Sequence, residues 1–173
     1  MTLRHAPFAL AAALLAAPAT LAAQDVPTAR ATLENADGDT VGEATLRELP
    51  AGLLVTIDAR DLPAGEHGFH IHETGACSPD FEAAGGHFAP QGRPHGFAAT
   101  RLPHPGDMPN LHVGEDGRAH ASILNARATL HDGPTAILDD DGAALMVHAE
   151  PDDYRDVDSA GGRIACGVIE ENG

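Results

Sequence analysis

The feature that most restricts how this chain can fold is a two-residue alternation of apolar and polar side chains in short runs. Alternation with this period is typical of strands that have one buried face. Turn sequences such as Asp37-Gly38 and Asp116-Gly117 separate the runs, and nowhere do apolar residues keep a helical spacing for three turns. The runs cover Ala29 to Leu33, Val41 to Leu49, Leu53 to Ala59, Gly68 to His72, Ala119 to Leu124, Ala144 to His148 and Ile164 to Ile169.

These runs predict a single all-β domain. A chain of 173 residues, 43% of them hydrophobic, can build one core and is short for two. Short strands at fairly even spacing indicate a sandwich or a flattened barrel, and spacing alone does not choose between the two. Two segments break the alternation, Glu73 to Leu111 and Ala149 to Arg163. Long loops of this kind in a compact domain are usually functional or disordered.

The first residues form a short basic start containing Arg4, followed by an apolar stretch from Ala6 to Leu21 that is mostly Ala and Leu. This pattern is typical of a secretory signal peptide. A membrane anchor is the alternative, but the stretch is short, is broken by Pro18 and ends in small residues. We therefore predict a signal peptide at residues 1–23 and a mature domain at residues 24–173.

Charge and cysteine content restrict the partners and the compartment. The formal net charge is −16, and all ten positive residues are arginines, so nucleic acid and anionic membrane are disfavoured as partners. Two cysteines, Cys77 and Cys166, are present. In an exported protein an even pair favours a disulfide over free thiols.

Histidines are concentrated in and around the first long loop. His70 and His72 flank one residue of a predicted strand, so both imidazoles project from the same face. Three imidazoles and one carboxylate in the loop make a plausible tetrahedral zinc set: His87, His95, His104 and Asp107. His148 ends an apolar strand, where a core histidine bonded to the backbone is the alternative interpretation.

Three motifs give the chain a clear resemblance to a known family. They are Gly68-Phe69-His70-Ile71-His72-Glu73, Gly85-Gly86-His87-Phe88 and Gly161-Gly162-Arg163-Ile164-Ala165-Cys166-Gly167-Val168-Ile169. Together they resemble copper/zinc superoxide dismutase. The resemblance implies a Greek-key β-sandwich or flattened barrel of about eight antiparallel strands with two long functional loops.

The same resemblance implies one copper and one zinc ion per subunit. Copper would be held by an all-imidazole set, which suits Cu(II), and zinc by the loop set. His87 would serve both ions, which requires its ring to lose both protons. The implied copper ligands are His70, His72, His87 and His148, and the implied zinc ligands are His87, His95, His104 and Asp107.

Further residues take roles only through the resemblance. Asp152 would accept hydrogen bonds from His70 and His95 and fix their orientation. Arg163 would dock the superoxide anion, Cys77 and Cys166 would form the intrasubunit disulfide, and His87 would carry a proton. The remaining histidines, interpreted as surface residues, are His5, His67, His112, His120 and His131.

The implied reaction is dismutation of superoxide to oxygen and hydrogen peroxide outside the cytoplasm, with the periplasm as the expected location. The expected partner is superoxide itself, with no nucleic acid and no membrane after signal cleavage, and both monomer and homodimer stay open. One alternative is an exported copper and zinc buffering protein without turnover, against which Arg163 counts. The other is a structural β-sandwich whose histidines are incidental.

Overall fold

The computed structural model describes Met1, Val26 and residues 28–172. The predicted signal peptide, apart from Met1, lies outside the described residues, and so does His5. Among the residues described, no helix is long and apolar enough to cross a membrane.

The described chain consists of ten strands and one short 3₁₀ helix, Phe81–Ala84. All strand ladders are antiparallel. This architecture confirms the all-β prediction. The strands are β1 Thr28–Glu34, β2 Thr40–Leu49, β3 Gly52–Ala59, β4 Gly65–His67, β5 Phe69–His72, β6 Leu111–Val113, β7 Ala119–Asn125, β8 Ala144–His148, β9 Arg163–Val168 and β10 Glu170–Glu171.

Alternating burial explains the strands on one side of the fold. On β1 the side chains of Ala29, Ala31 and Leu33 are buried while their neighbours are exposed or half-buried. Strand β3 repeats the pattern with Leu53, Val55 and Ile57. These apolar faces meet in one core, to which β5 and β8 contribute Phe69, Ile71, Leu145 and Val147.

The strand order is that of a curled sheet with crossovers. Hydrogen-bonded neighbours run β5-β8-β9-β1-β2-β3-β7, while β4 pairs with β6 and β10 pairs with β1. Neighbours that are not consecutive in the chain, such as β8 beside β5, require the long connections of a Greek key. The pairing of β9 with β1 is short and consists of one register pair, Glu34 with Cys166.

Strands β5 and β8 are buried on both faces, unlike β1 and β3. The reason is that the first long loop folds back along β5. Ile71 donates its N–H to Gly106 O at 2.9 Å, and Phe88 donates its N–H to Ile71 O at 2.8 Å. A Cβ at Gly106 would lie 2.3 Å from Ile71 O, so this close approach needs glycine.

The predicted loops are correct in position, with small differences at their ends. The first loop contains the 3₁₀ helix and ends where β6 begins at Leu111, and the second ends where β9 begins at Arg163. Three strands were not predicted, namely β4, β6 and β10. Each has only two or three residues, which is too short for an alternation to be recognised.

Candidate metal centre

Two adjoining groups of buried or half-buried side chains lie between the first loop and the β5–β8 pair. Within each group the potential ligand atoms all lie within 4.8 Å of one another. The first group contains His70, His72, His87 and His148, and the second contains His87, His95, His104 and Asp107. His87 belongs to both groups. The structure thus brings together all seven residues that the sequence indicated as metal ligands.

The tautomers of His72 and His148 are set by backbone carbonyls. His72 Nδ1 lies 3.0 Å from Gly85 O, and His148 Nδ1 lies 3.2 Å from Gly161 O. A carbonyl oxygen can only accept, so each Nδ1 carries the proton and each Nε2 carries a lone pair. These two Nε2 atoms lie 3.3 Å apart. At this distance the two lone pairs repel each other, and a bound cation would be ligated by both of them.

Burial keeps these rings neutral. Loss of hydration lowers the pKa of His72 to about 2 despite its hydrogen bond to Gly85, and it lowers that of His148 to about 3. The positive charge of Arg163 acts in the same direction on both rings. Neutral imidazole is the form that binds a metal ion.

His70 has the third unprotonated ring nitrogen of the first group, after those of His72 and His148. Its Nε2 lies 2.9 Å from Asp152 Oδ2 and donates to it, while its Nδ1 is buried without a hydrogen-bond partner. Burial lowers the pKa of His70 to about 4, although Asp152 opposes this shift. A buried, unpaired nitrogen is costly unless something ligates it. His70 Nδ1 therefore fits a metal ligand in the first group.

The second group converges on one carboxylate oxygen. Asp107 Oδ1 lies 3.1 Å from the Nδ1 atoms of both His87 and His95 and 3.3 Å from that of His104. The other oxygen, Oδ2, accepts the N–H groups of Gly96 at 2.7 Å and of His104 at 3.2 Å. Backbone donors thus hold Asp107 so that one oxygen faces the three rings, as a monodentate ligand would.

Charge in the second group is arranged for a cation. Burial alone would raise the pKa of Asp107, but hydrogen bonds from the three histidines hold it well below its usual range. Burial lowers the pKa of His95, yet Asp107 and Asp152 together raise it to about 9. Without a metal ion, a proton on His95 supplies positive charge between the two carboxylates.

Asp152 links the two groups. Its Oδ2 accepts from His70 Nε2, and its Oδ1 lies 3.1 Å from His95 Nε2. Burial raises its pKa, but the hydrogen bonds from His70, Tyr154 and His95 outweigh this and leave it well below the ordinary value. The carboxylate is therefore ionised and fixes one ring of each group.

Arg163 lies beside the first group and is held by the 3₁₀ helix. Its guanidinium donates to Phe81 O and, at 2.7 Å, to Gly85 O, and it pairs with Glu82 Oε2 at 3.4 Å. Only 15% of the side chain is exposed. Cys77 forms a disulfide with Cys166. This bridge ties the segment that precedes the helix to β9, the strand that Arg163 begins.

One histidine prediction was wrong. His67 is 3% exposed and not a surface residue. Its Nδ1 lies 2.8 Å from His148 O and its Nε2 lies 2.8 Å from Pro63 O, so it packs behind the first group. The other described histidines of that set are exposed as predicted, with His112 paired to Glu66 and His120 to Asp58. His131 is also exposed.

Sequence reasoning missed two supporting residues, Arg127 beside the second group and Asn110 beside Asp152. Arg127 donates to His104 O at 3.3 Å and to Asp107 O at 2.6 Å. Asn110 donates from Nδ2 to Asp152 O and accepts from Asp152 N through Oδ1. Both contacts are to backbone atoms distant in sequence. No spacing rule would have found them.

The donor sets fit copper and zinc. Four neutral imidazoles suit copper, and three imidazole nitrogens with one carboxylate oxygen suit tetrahedral zinc. Three observations support this fit: the unpaired Nδ1 of His70, the facing Nε2 atoms of His72 and His148, and the three ring nitrogens around Asp107 Oδ1.

Comparisons with known proteins agree with this centre. A family model described as copper/zinc superoxide dismutase (SODC) matches residues 40–169. Superoxide dismutase (Cu-Zn) 2 of Aquifex aeolicus is 42% identical over 146 residues, which is 82% of this chain and 85% of that protein. A SOD-like protein from Bacillus subtilis has a crystal structure with a TM-score of 0.74 at 42% identity, covering 80% of this chain and 96% of that one. For the Cu/Zn superoxide dismutase from Brucella abortus the TM-score is 0.70 at 29% identity, covering 83% and 99%.

Proposed function

We propose that this chain, which belongs to the copper/zinc superoxide dismutase family, converts superoxide into oxygen and hydrogen peroxide. In this reaction two superoxide anions and two protons give one molecule of each product. The observation that carries the proposal is the pair of donor groups sharing His87, with the guanidinium of Arg163 fixed beside the first group.

Each donor group is assigned to one ion. Copper would be held by His70 Nδ1, His72 Nε2, His87 and His148 Nε2, because these nitrogens are unprotonated when their other nitrogens donate hydrogen bonds. Zinc would be held by the Nδ1 atoms of His87, His95 and His104 and by Asp107 Oδ1. When bound, copper supplies a centre that accepts and returns one electron, whereas zinc has no redox chemistry.

The chain's own residues bind the substrate and handle a proton. Arg163 supplies a fixed cation that binds and orients the superoxide anion, since its hydrogen bonds to Phe81 O and Gly85 O hold its guanidinium in place. His87 Nδ1 faces Asp107, which leaves Nε2 for the first group. When it is not bound to copper, His87 Nε2 is therefore the atom that would hold a proton for delivery to the reduced substrate.

Export is the second part of the proposal. Residues 1–23 have the composition of a signal peptide, and residues 24–173 would form the mature enzyme domain. The Cys77–Cys166 disulfide supports an oxidising compartment, and the relatives compared are bacterial, so we assign the periplasm. N-terminal sequencing of the exported protein tests the cleavage position, and gel filtration distinguishes a monomer from a homodimer.

Metal analysis of three variants tests the site assignment. His148→Ala should lose copper and keep zinc, and His104→Ala should lose zinc first, because each residue belongs to one group only. His120→Ala is the matched control, since His120 is exposed and pairs with Asp58. One copper and one zinc per wild-type chain is expected. Retention of both metals by His148→Ala and His104→Ala would overturn the assignment.

A further inference from the structure

Tyr154, the single tyrosine of the chain, lies where the second long loop crosses the first. It is half-buried and follows Asp152 by two residues. Its backbone φ is 61°, and among the described residues only one other non-glycine residue, Asp61, has a positive φ. The left-handed region is unfavourable for a bulky side chain, so its neighbours must hold it there.

The backbone of Tyr154 holds the carboxylate that links the two metal groups. Its N–H donates to Asp152 Oδ1 at 2.7 Å, and that same oxygen faces His95 Nε2. The other carboxylate oxygen accepts from His70. Through Asp152, the Tyr154 amide therefore helps to orient one ring in each group, His70 and His95.

The first long loop carries the zinc ligands and is called the zinc-ligand loop below. The side chain of Tyr154 contacts it at two points. Its hydroxyl accepts the N–H of Asn110 at 2.9 Å, and Asn110 in turn makes two hydrogen bonds with the backbone of Asp152. Its ring packs against Phe97, with centroids 5.1 Å apart. Phe97 also lies under the guanidinium of Arg127, which donates to Asp107 O.

The backbones of the two loops are fitted closely at this point. Tyr154 O accepts the N–H of Ala98 at 3.1 Å. Gly96 follows the ligand His95, and a Cβ there would lie 2.0 Å from Tyr154 O. The N–H of Gly96 donates to Asp107 Oδ2. A glycine at this position thus lets Tyr154 O approach the segment that holds Asp107.

We propose that Tyr154 is a positioning residue that locks the second loop onto the zinc-ligand loop and thereby fixes Asp152 between the two metal groups. It touches neither the ligand atoms nor the substrate. It acts through Asp152, Asn110 and Phe97, so loss of its contacts should loosen zinc and disturb the copper ligand His70. The inference rests on the proposed function for the identity of the two metals.

Two substitutions separate the contributions of Tyr154. Tyr154→Phe removes the acceptor of the Asn110 N–H and keeps the ring. Tyr154→Gly removes ring and hydroxyl and suits the positive φ, so its effect does not come from backbone strain. Val157→Ala is the matched control, because Val157 lies in the same loop with 46% exposure.

The main measurement is the rate at which the copper- and zinc-loaded chain releases zinc to a chromogenic chelator. Loss of residues that orient metal ligands typically lowers metal affinity by about 10- to 100-fold, so Tyr154→Gly should release zinc about tenfold faster or more. Tyr154→Phe should fall between Tyr154→Gly and wild type, and Val157→Ala should match wild type. The copper EPR spectrum should shift in Tyr154→Gly and should shift less, or not at all, in Tyr154→Phe.

Each outcome has one meaning. Faster zinc release with a shifted copper spectrum supports the positioning role, because a purely structural role would lower thermal stability without changing the copper spectrum. Zinc release and copper spectra equal to wild type in both Tyr154 variants would overturn it. If wild type itself binds neither metal, the proposed function fails first, and this inference fails with it.

Discussion

His72 and Arg163 are held by the same backbone oxygen. His72 Nδ1 donates to Gly85 O at 3.0 Å, and Arg163 Nη2 donates to it at 2.7 Å. One carbonyl therefore fixes both a ring of the first group and the cation beside it. The 3₁₀ helix that ends at Ala84 presents this oxygen, and the Cys77–Cys166 disulfide ties the preceding segment to β9.

Arg163→Ala should lower superoxide turnover at unchanged copper content. Loss of one fixed electrostatic donor in an active site commonly costs a factor of ten or more, so we expect at least about a tenfold decrease. Copper should stay bound because Arg163 is not in either donor group. Arg155→Ala, which removes an exposed arginine in the second loop, is the control. Equal losses in the two variants would mean that the docking role is wrong.

Glu82→Gln should raise turnover modestly. Glu82 Oε2 lies 3.4 Å from Arg163 Nη2, so this carboxylate competes with an anionic substrate for the guanidinium. Glu82 is 79% exposed, and exposed pairs are weak, so the gain should stay within about fivefold. Steady-state turnover at low ionic strength checks this. Glu43→Gln removes an equal charge on β2 and should leave turnover almost unchanged; a decrease in Glu82→Gln would contradict the prediction.

Turnover should respond weakly to salt or rise with it. The net charge of −16 repels superoxide, and the exposed acids Asp153, Asp156 and Asp158 lie in the second loop. Screening of repulsion would offset screening of attraction by Arg163. The measurement is turnover from low to physiological ionic strength. A steep fall with added salt would show net attraction and contradict the expectation.

The sequence predicted most of the fold because seven strands are long enough to show a pattern, alternating on β1 and β3 and almost entirely apolar on β8. Strands β4, β6 and β10 have two or three residues and carry no such signal. The seven ligand candidates could be predicted because their signals are local in the sequence. These signals are the alternation of a strand, the glycines of the loop and the family motifs. His67 was misplaced, since its burial depends on the carbonyls of His148 and Pro63. Arg127 and Asn110 were not predicted because their partners are distant in sequence, and the same holds for the contacts of the Tyr154 side chain with Asn110 and Phe97.

The metal-free protein should lose stability as pH falls from about 6.5 to 4.5. Folding depresses the pKa values of His70, His72 and His148 to about 4, 2 and 3. In this window the unfolded chain binds protons that the folded chain does not, so each ring lowers the unfolding free energy by up to about 1.4 kcal/mol per pH unit. Urea unfolding at several pH values measures the slope.

Two controls keep this pH prediction specific. His95 has a raised pKa, so its stabilisation is complete below pH 6.5 and is lost only as pH rises through about 9, outside the window. His112 is exposed and lies outside both donor groups, so His112→Gln is the control and should keep the wild-type slope. A metal-free protein whose stability is flat between pH 6.5 and 4.5 would contradict the account of neutral, buried copper ligands.

The most direct test of the central claim is the rate of superoxide dismutation by the exported, copper- and zinc-loaded chain. Pulse radiolysis measures this rate, and the metal content is determined on the same sample. Fast turnover in wild type that almost disappears with copper in His148→Ala is the predicted result. Full occupancy by both metals without turnover would contradict the claim and make the chain a metal-binding protein.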